Sequence, residues 1–451
     1  MSFFLGIDLG TSYFKAGIFD ENGHLKGLGR KYVEKNSNDP FCELSVPVFR
    51  KTLVESVGEA IDRAGIPSNE INAMSYSSQA NSFILLDRTD RPLTNLILWP
   101  DKRAKNTEIP VAGHFLQKTG IGIDPDGEFA IAKIRWFQKN RPGLWKQVAG
   151  IMSISDYLVF KLTGQKTGDC GTASMTGLFD QTAGGWWDQQ LDRLHIREKQ
   201  LPVPQRSGVL TGRLTRKGAE WLGLSSRIRF CLGGLDHHIA AVGAGITFNR
   251  NICESTGTVL ACVDYREGYT PEAGLCVAPG LHENNYFRMI FDNNSAAILE
   301  WYQKNYAPEY TLPQLIEQAA TVESGSNGLT ALPCADTYPG LTGFRQTQDR
   351  QYSHGHFVRA LFESIACSLH RLVTKLEKTS PPPAIIPAGG GGRSSLLVKI
   401  KAGALHTVFR VPECTELACM GAALLAAAGT KEQGDLNELA KTWTRYKAEI
   451  R

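Results

Sequence analysis

FFLGIDLGTSYFKAGIFDENGHL, residues 3–25, reads as two strands joined by a turn rich in hydrogen-bond donors. Residues 3–7 form a short apolar run of the kind that makes a buried strand, and 13–19 alternate roughly between apolar and polar. Between them stand Asp8, Leu9, Gly10, Thr11 and Ser12. Gly10 accepts the backbone angles of a tight turn, and the free N–H groups there, with the Thr11 and Ser12 hydroxyls, make a concave donor set suited to phosphate oxygens. Asp8 has the wrong charge to touch phosphate, so a divalent cation or a hydroxyl proton is its expected partner. Asn22 and Gly23 then signal a type I′ turn, which predicts a third strand antiparallel to the second.

A turn without function explains one such hairpin, but the pattern recurs. Residues 251–254 lead into Ser255, Thr256, Gly257 and Thr258, and 259–263 are again apolar. A partial internal repeat of strand, Gly-Thr turn and strand predicts two similar domains that each offer a hairpin to one phosphate tail.

With 451 residues, the chain is long enough for two or three domains. Its net charge of +4 is small for that size, and no block of Lys and Arg marks a nucleic-acid or membrane surface, so a small-molecule partner is expected. No apolar stretch is long enough to span a bilayer and no leader pattern opens the chain, which predicts a cytoplasmic protein. The ten cysteines are scattered, and Cys262 and Cys367 sit in apolar runs as reduced core cysteines do.

Further along, 46–64 carry apolar residues at helical spacing and 71–76 read as a strand. Gln79, Ala80 and Asn81 belong to a polar string after that strand, where an open α/β sheet holds ligands; an ordinary polar loop is the competing reading. Asp101 and Arg103 close a strand at 96–99 and either face a substrate or form a loop ion pair. A helix is predicted over 130–140. A strand at 227–232 ends in Gly233 and Gly234, then Asp236, His237 and His238, before a helix at 239–245. A carboxylate between a Gly-Gly turn and a helix start is placed to meet a ligand, or else caps the helix. Adjacent histidines on a helix point apart, so they do not suggest a metal site. The longest helical pattern covers 355–378, and Ser380 with three prolines breaks it. A strand at 384–386 then runs into Gly389, Gly390, Gly391 and Gly392 and another helix, letting a ligand approach the backbone and a helix N-terminus. Neither a P-loop nor a dinucleotide fingerprint is present.

Taken in order, IDLGTSYFKAGIFD (7–20), LILWPDKRA (96–104), SDYLVFKLTG (155–164), TASMTGLFD (172–180), GGLDHHIAAVGAG (233–245), STGT (255–258), HFVRALFES (356–364) and PAGGGGRSS (387–395) resemble the FGGY carbohydrate kinases, within the actin-like ATPase superfamily. The resemblance implies an α/β fold of two domains with actin-like, ribonuclease H-like cores separated by a catalytic cleft, residues 1–245 binding sugar and 246–451 binding nucleotide. It implies ATP and Mg²⁺, with Asp236 as general base and Asp8 positioning the metal through water. Gly10, Thr11, Ser12, Gly257, Thr258 and Gly389 to Gly392 would hold the nucleotide. Gln79, Ala80, Asn81, Asp101, Asp236 and His237 would line the sugar site. The expected reaction phosphorylates a hydroxyl, a primary one, of a ketose or polyol, in a monomer or a homodimer. The triplet Gln79, Ala80, Asn81 differs from those of xylulokinases and glycerol kinases and therefore names no sugar. A sugar sensor on the same fold is the alternative; loss of the base would favour it, and Asp236 is present.

Overall fold

A computed structural model describes residues 2–348, 350–377, 381–430 and 434–451. The expected helix end at Lys378 and the breaker Ser380 lie outside these residues. The chain divides into two compact units. The first comprises 1–248, 265–288 and 416–444, and the second 249–264, 289–415 and 445–451. Where the sequence reading has a single boundary at 245, the chain thus leaves the first unit at Phe248 and later returns to it twice.

In the first unit the main sheet runs in the order Leu210–Arg213, Arg229–Cys231, Ile71–Ser78, Phe3–Leu9, Tyr13–Asp20 and Leu25–Tyr32. Phe3–Leu9 is fully buried and lies antiparallel to Tyr13–Asp20 but parallel to Ile71–Ser78. The third strand is antiparallel to the second, as predicted. Its turn is not type I′, because Gly23 has a left-handed φ of 78° and Asn22 does not. Instead the Asp20 carboxylate holds the turn, accepting from the backbone N–H of Asn22 and His24.

Glycines let helices sit directly on this sheet. The Val46–Ala64 helix, capped by Ser45 and stopped by a left-handed Gly65, lies against Gly27 and Gly29, where any Cβ would strike the carbonyls of Ala60 and Ser56. The Leu417–Gly429 helix lies against Gly6 and Gly17, which pair across neighbouring strands. Since successive residues of a strand point to opposite faces, the two helices cover opposite sides. A smaller sheet, ordered Asn36–Asn38, Phe41–Leu44, Leu96–Ile97, Phe83–Leu86 and Gly150–Ser153, carries the Ala130–Asn140 helix beside it.

The second unit repeats the pairing logic. Ile252–Thr256 is antiparallel to Leu260–Glu267, whose residues to 264 belong to this unit, and parallel to Ile385–Ala388. Phe409–Pro412 and Tyr446–Ile450 extend the sheet. The long predicted helix is His354–Leu376. Cys262 is buried, but Cys367 on that helix is exposed: the apolar run around it is one side of an amphipathic helix, and Cys367 falls on the other. No helix among the described residues is long and apolar enough to cross a membrane.

Candidate functional site

Three parallel strands of the first unit end side by side. Asp8 and Leu9 stand level with Ser77 and Ser78, which stand level with Gly234 and Leu235. Asp8 and Asp236 therefore emerge at the carboxyl ends of strands separated by one neighbour, the position where open α/β sheets hold ligands. Asp236 opens the Asp236–Gly243 helix and is half-buried. Its Oδ1 accepts from the His237 backbone N–H at 2.8 Å. Its other oxygen receives no hydrogen bond among the described residues, which leaves a lone pair for an incoming hydroxyl.

Asp8 is buried, and its Oδ1 accepts from the Ser77 hydroxyl at 3.0 Å. Burial raises its pKa; Lys15 and Ser77 oppose the rise, Asp236 and Glu416 add to it, and the net direction is upward. Lys15 Nζ lies 3.7 Å from Asp8 and 2.9 Å from Glu416. Burial disfavours the Lys15 charge, but the two carboxylates more than offset this and hold it protonated. The cluster thus joins Lys15 to two carboxylates, Asp8 and Glu416, with the Asp236 charge near enough to act on Asp8.

For a magnesium ion the donor set is sparse. No group of three or more His, Cys, Asp or Glu side chains among the described residues could cage a metal. Mg²⁺ in phosphoryl-transfer sites keeps several waters and takes one or two carboxylates plus substrate phosphates. Asp8, with Lys15 rather than a third carboxylate at its second oxygen, fits such a hydrated ion.

The hairpin after Asp8 is braced from outside. Thr11 Oγ1 accepts from the Trp99 indole N–H at 2.7 Å, while Ser12 is exposed. Gln79 is buried, its amide donating to the carbonyls of Leu9 and Gly10 and its Oε1 accepting from Ser82. Gln79 therefore shapes the turn. Ala80 and Asn81 are half-buried; Asn81 has a left-handed φ of 57° and accepts from the Ala130 N–H at the start of the Ala130–Asn140 helix. His237 is half-buried beside Asp236. Asp101 is fully buried in a two-bond pair with Arg103 and accepts also from the Cys42 N–H. Both Asp101 oxygens are occupied, and the pair is a core contact and not a solvated one. His238 is buried and stacked on Phe287 at 4.6 Å, its pKa pushed down to about 3 by burial.

In the second unit the Ile252–Thr256 strand runs through Ser255 and Thr256, past the end at 254 that the sequence suggested, so Gly257 and Thr258 form an exposed tip. Ser255 stands level with Ala388, which brings the glycine loop alongside that tip. Gly389 has a left-handed φ of 67°, and a Cβ on Gly391 would strike Thr256. Beneath them Lys401 and Glu254 form a fully buried ion pair at 2.8 Å, and Thr256 Oγ1 donates to Glu254. Ser295 donates to the Gly257 carbonyl, and Asn294 donates to Ser364 and Ser368, tying the hairpin's surroundings to the His354–Leu376 helix.

Sequence reasoning missed Lys15, Glu416, Trp99, Lys133 and the Lys401–Glu254 pair. A usable signal existed: Lys15, Lys133 and Lys401 each interrupt an otherwise apolar stretch, and a lysine is rarely buried without a dedicated partner.

Residues 3–243 match the FGGY family of carbohydrate kinases, N-terminal domain, and 309–430 match its C-terminal domain. The xylulose kinase of Bacillus subtilis is 26% identical, over 99% of this chain and 92% of its own length. The glycerol kinase of Thermococcus kodakarensis is 24% identical, over 98% and 91%. Among solved structures, a ligand-bound xylulose kinase from Lactobacillus acidophilus superposes with a TM-score of 0.88 at 22% identity, covering 100% of this chain and 94% of that one. Plasmodium falciparum glycerol kinase with ADP gives 0.84 at 20% identity, over 100% and 94%. At those identities the likeness establishes the fold, two-domain and actin-like.

Proposed function

Because the chain belongs to the FGGY family of carbohydrate kinases, we propose that it transfers the γ-phosphoryl group of ATP to a primary hydroxyl of a ketose or polyol. Membership makes it a phosphotransferase that phosphorylates a sugar or polyol with ATP. The finer assignment draws on the names of its relatives, xylulose and glycerol kinases. The observation that carries the mechanism is the placement of Asp8 and Asp236 at the ends of two strands that flank Ile71–Ser78, with one Asp236 oxygen receiving no hydrogen bond among the described residues.

Asp236 takes the proton of the sugar hydroxyl as that oxygen bonds to the γ-phosphorus, while the bond from phosphorus to the bridging oxygen of ADP breaks. Gln79, Ala80, Asn81 and His237 are assigned to the sugar side. Asp101, with both oxygens engaged, acts there through its neighbours. Gly10, Thr11 and Ser12, with Gly257, Thr258 and the loop Gly389 to Gly392, are assigned to the nucleotide. Asp8 would hold Mg²⁺ through water, and the ion would neutralise phosphate charge. Lys15 adds a fixed positive charge beside Asp8. Such a reaction needs mainly positioning and charge stabilisation, which this set supplies. A cytoplasmic setting, where ATP is available, goes with this reading.

A coupled ATP-consumption screen over pentuloses, hexuloses and polyols tests the assignment. Turnover of one ketose or polyol well above basal hydrolysis is expected; uniform inactivity across the panel would remove it and favour a sugar-sensing role.

A further inference from the structure

The Ala130–Asn140 helix buries a lysine that none of the roles above uses. Lys133 has no exposed surface and makes no ion pair among the described residues. Its Nζ lies 2.8 Å from the Trp99 carbonyl, 2.9 Å from the Leu98 carbonyl and 3.4 Å from the Asn81 carbonyl. An ammonium has three N–H donors and no acceptor, so each carbonyl receives one. A neutral amine would satisfy only two. Burying a charge is costly, and an apolar side chain would fill the same volume, so packing alone does not account for Lys133.

The three carbonyls belong to the two segments that brace the site. Trp99 donates its indole N–H to Thr11 and its backbone N–H to Ser82, and Ser82 donates to Gln79, which holds the carbonyls of Leu9 and Gly10. Asn81, strained at positive φ, caps the helix that carries Lys133. The network is closed: helix, residues 79–82, residues 98–99 and the hairpin at Gly10 and Thr11 share one set of hydrogen bonds.

We propose that Lys133 is a positioning residue whose ammonium, shared among the carbonyls of Asn81, Leu98 and Trp99, fixes the sugar-side loop and the phosphate hairpin in one geometry. This rests on the assignment of residues 79–81 to the sugar side. A displacement of about 1 Å in such supports costs on the order of 10²-fold in rate.

The test compares Lys133→Met and Lys133→Gln with wild type, using the panel sugar that wild type turns over fastest. The folded Met variant should raise the sugar KM by ~10-fold or more and speed amide exchange in 79–82 and 98–101, with exchange in 252–258 unchanged. Gln, which keeps two N–H donors, should fall between. A purely structural lysine would lower the melting temperature and the active fraction without moving KM, so a sugar KM within ~2-fold of wild type, or unchanged exchange in both segments, overturns the proposal. Should neither variant fold, the wild-type pH profile decides. Asp101 and Arg103 on the strand side, Glu128 ahead of the helix and Cys42 on the neighbouring strand are the titratable or charged groups facing Lys133. Sugar KM should rise as pH climbs above neutrality and one carbonyl loses its donor; a flat profile from pH 6 to 9 overturns the role. Asn81→Ala separates the two readings. If it leaves sugar KM unchanged while Lys133→Met raises it, the positioning role stands and the sugar-side assignment of Asn81 falls.

Discussion

Asp236 and Asp8 have similar chemistry and different surroundings, and that difference assigns their work. Asp236 is half-exposed with one oxygen engaged locally, whereas Asp8 is buried, bonded to Ser77 and set against Lys15. Asp236→Asn should therefore leave nucleotide binding nearly intact while kcat falls by at least ~10²-fold, as for loss of a general base. Titration calorimetry with ADP, beside steady-state rates, checks both halves; near wild-type turnover would remove the role. Gln79, assigned to the sugar side, also braces the phosphate turn. Its amide is spent on Leu9, Gly10 and Ser82, so Gln79→Ala should weaken nucleotide as well as sugar binding by unpinning the turn, at ~1–3 kcal/mol of stability. An Ala variant whose sugar KM alone changes would confine its role to the sugar side and remove the bracing role.

At the scale of elements, buried charge decides two stabilities. Lys401 and Glu254 lie fully buried beneath the second hairpin, and removing one partner strands the other. Lys401→Met should cost ~3–5 kcal/mol in denaturant unfolding, more than a typical surface substitution by severalfold. Asp156, in the cap of the Ile154–Thr163 helix, and Asp169, bonded to Tyr76, have pKa values raised by burial to about 7 and about 6. Raised above the unfolded value of 3.8, each favours the folded chain when protonated. That contribution is complete below about pH 4 and disappears as pH rises through 6 to 7. Wild type should lose melting temperature from pH 5 to 8, and Asp156→Asn should lose less and melt ~2 °C or more higher at pH 8. Parallel scans showing identical slopes for both proteins would contradict the buried-acid account.

Elements with local punctuation were legible: the Val46–Ala64 helix has its serine cap and terminal glycine, and both hairpins have Gly-Thr turns. The lysines were legible only as interruptions of apolar stretches; what each one holds was not, because its carbonyl or carboxylate partners are distant in sequence. The Asn22–Gly23 turn misled because Asp20 supplies a side-chain acceptor that makes the mirror-image turn unnecessary.

Across the whole molecule, the assigned roles divide by unit: the base, the sugar loop and one hairpin in the first, the second hairpin and glycine loop in the other. Thr258→Val should raise the ATP KM by ~3-fold or more with little change in sugar KM, the opposite of Asn81→Ala. Equal shifts in both constants for both variants would refute that division. The membership of 416–444 in the first unit was invisible to sequence reading, since the Leu417–Gly429 helix is apolar on nearly every side and nothing local names its partner.

That helix also sets a timetable. It covers Gly6 on the innermost strand, yet it is synthesised about 400 residues after it. At ~5–20 residues per second, the ribosome takes on the order of 20–80 s to deliver it. Throughout that interval one side of the nascent sheet stays greasy and uncovered, so the first half of the polypeptide must wait, shielded by chaperones or the ribosome surface, for the last tenth to emerge. Premature stop codons anywhere before residue 416 should therefore yield insoluble fragments even when they spare every residue assigned to the chemistry of the first unit.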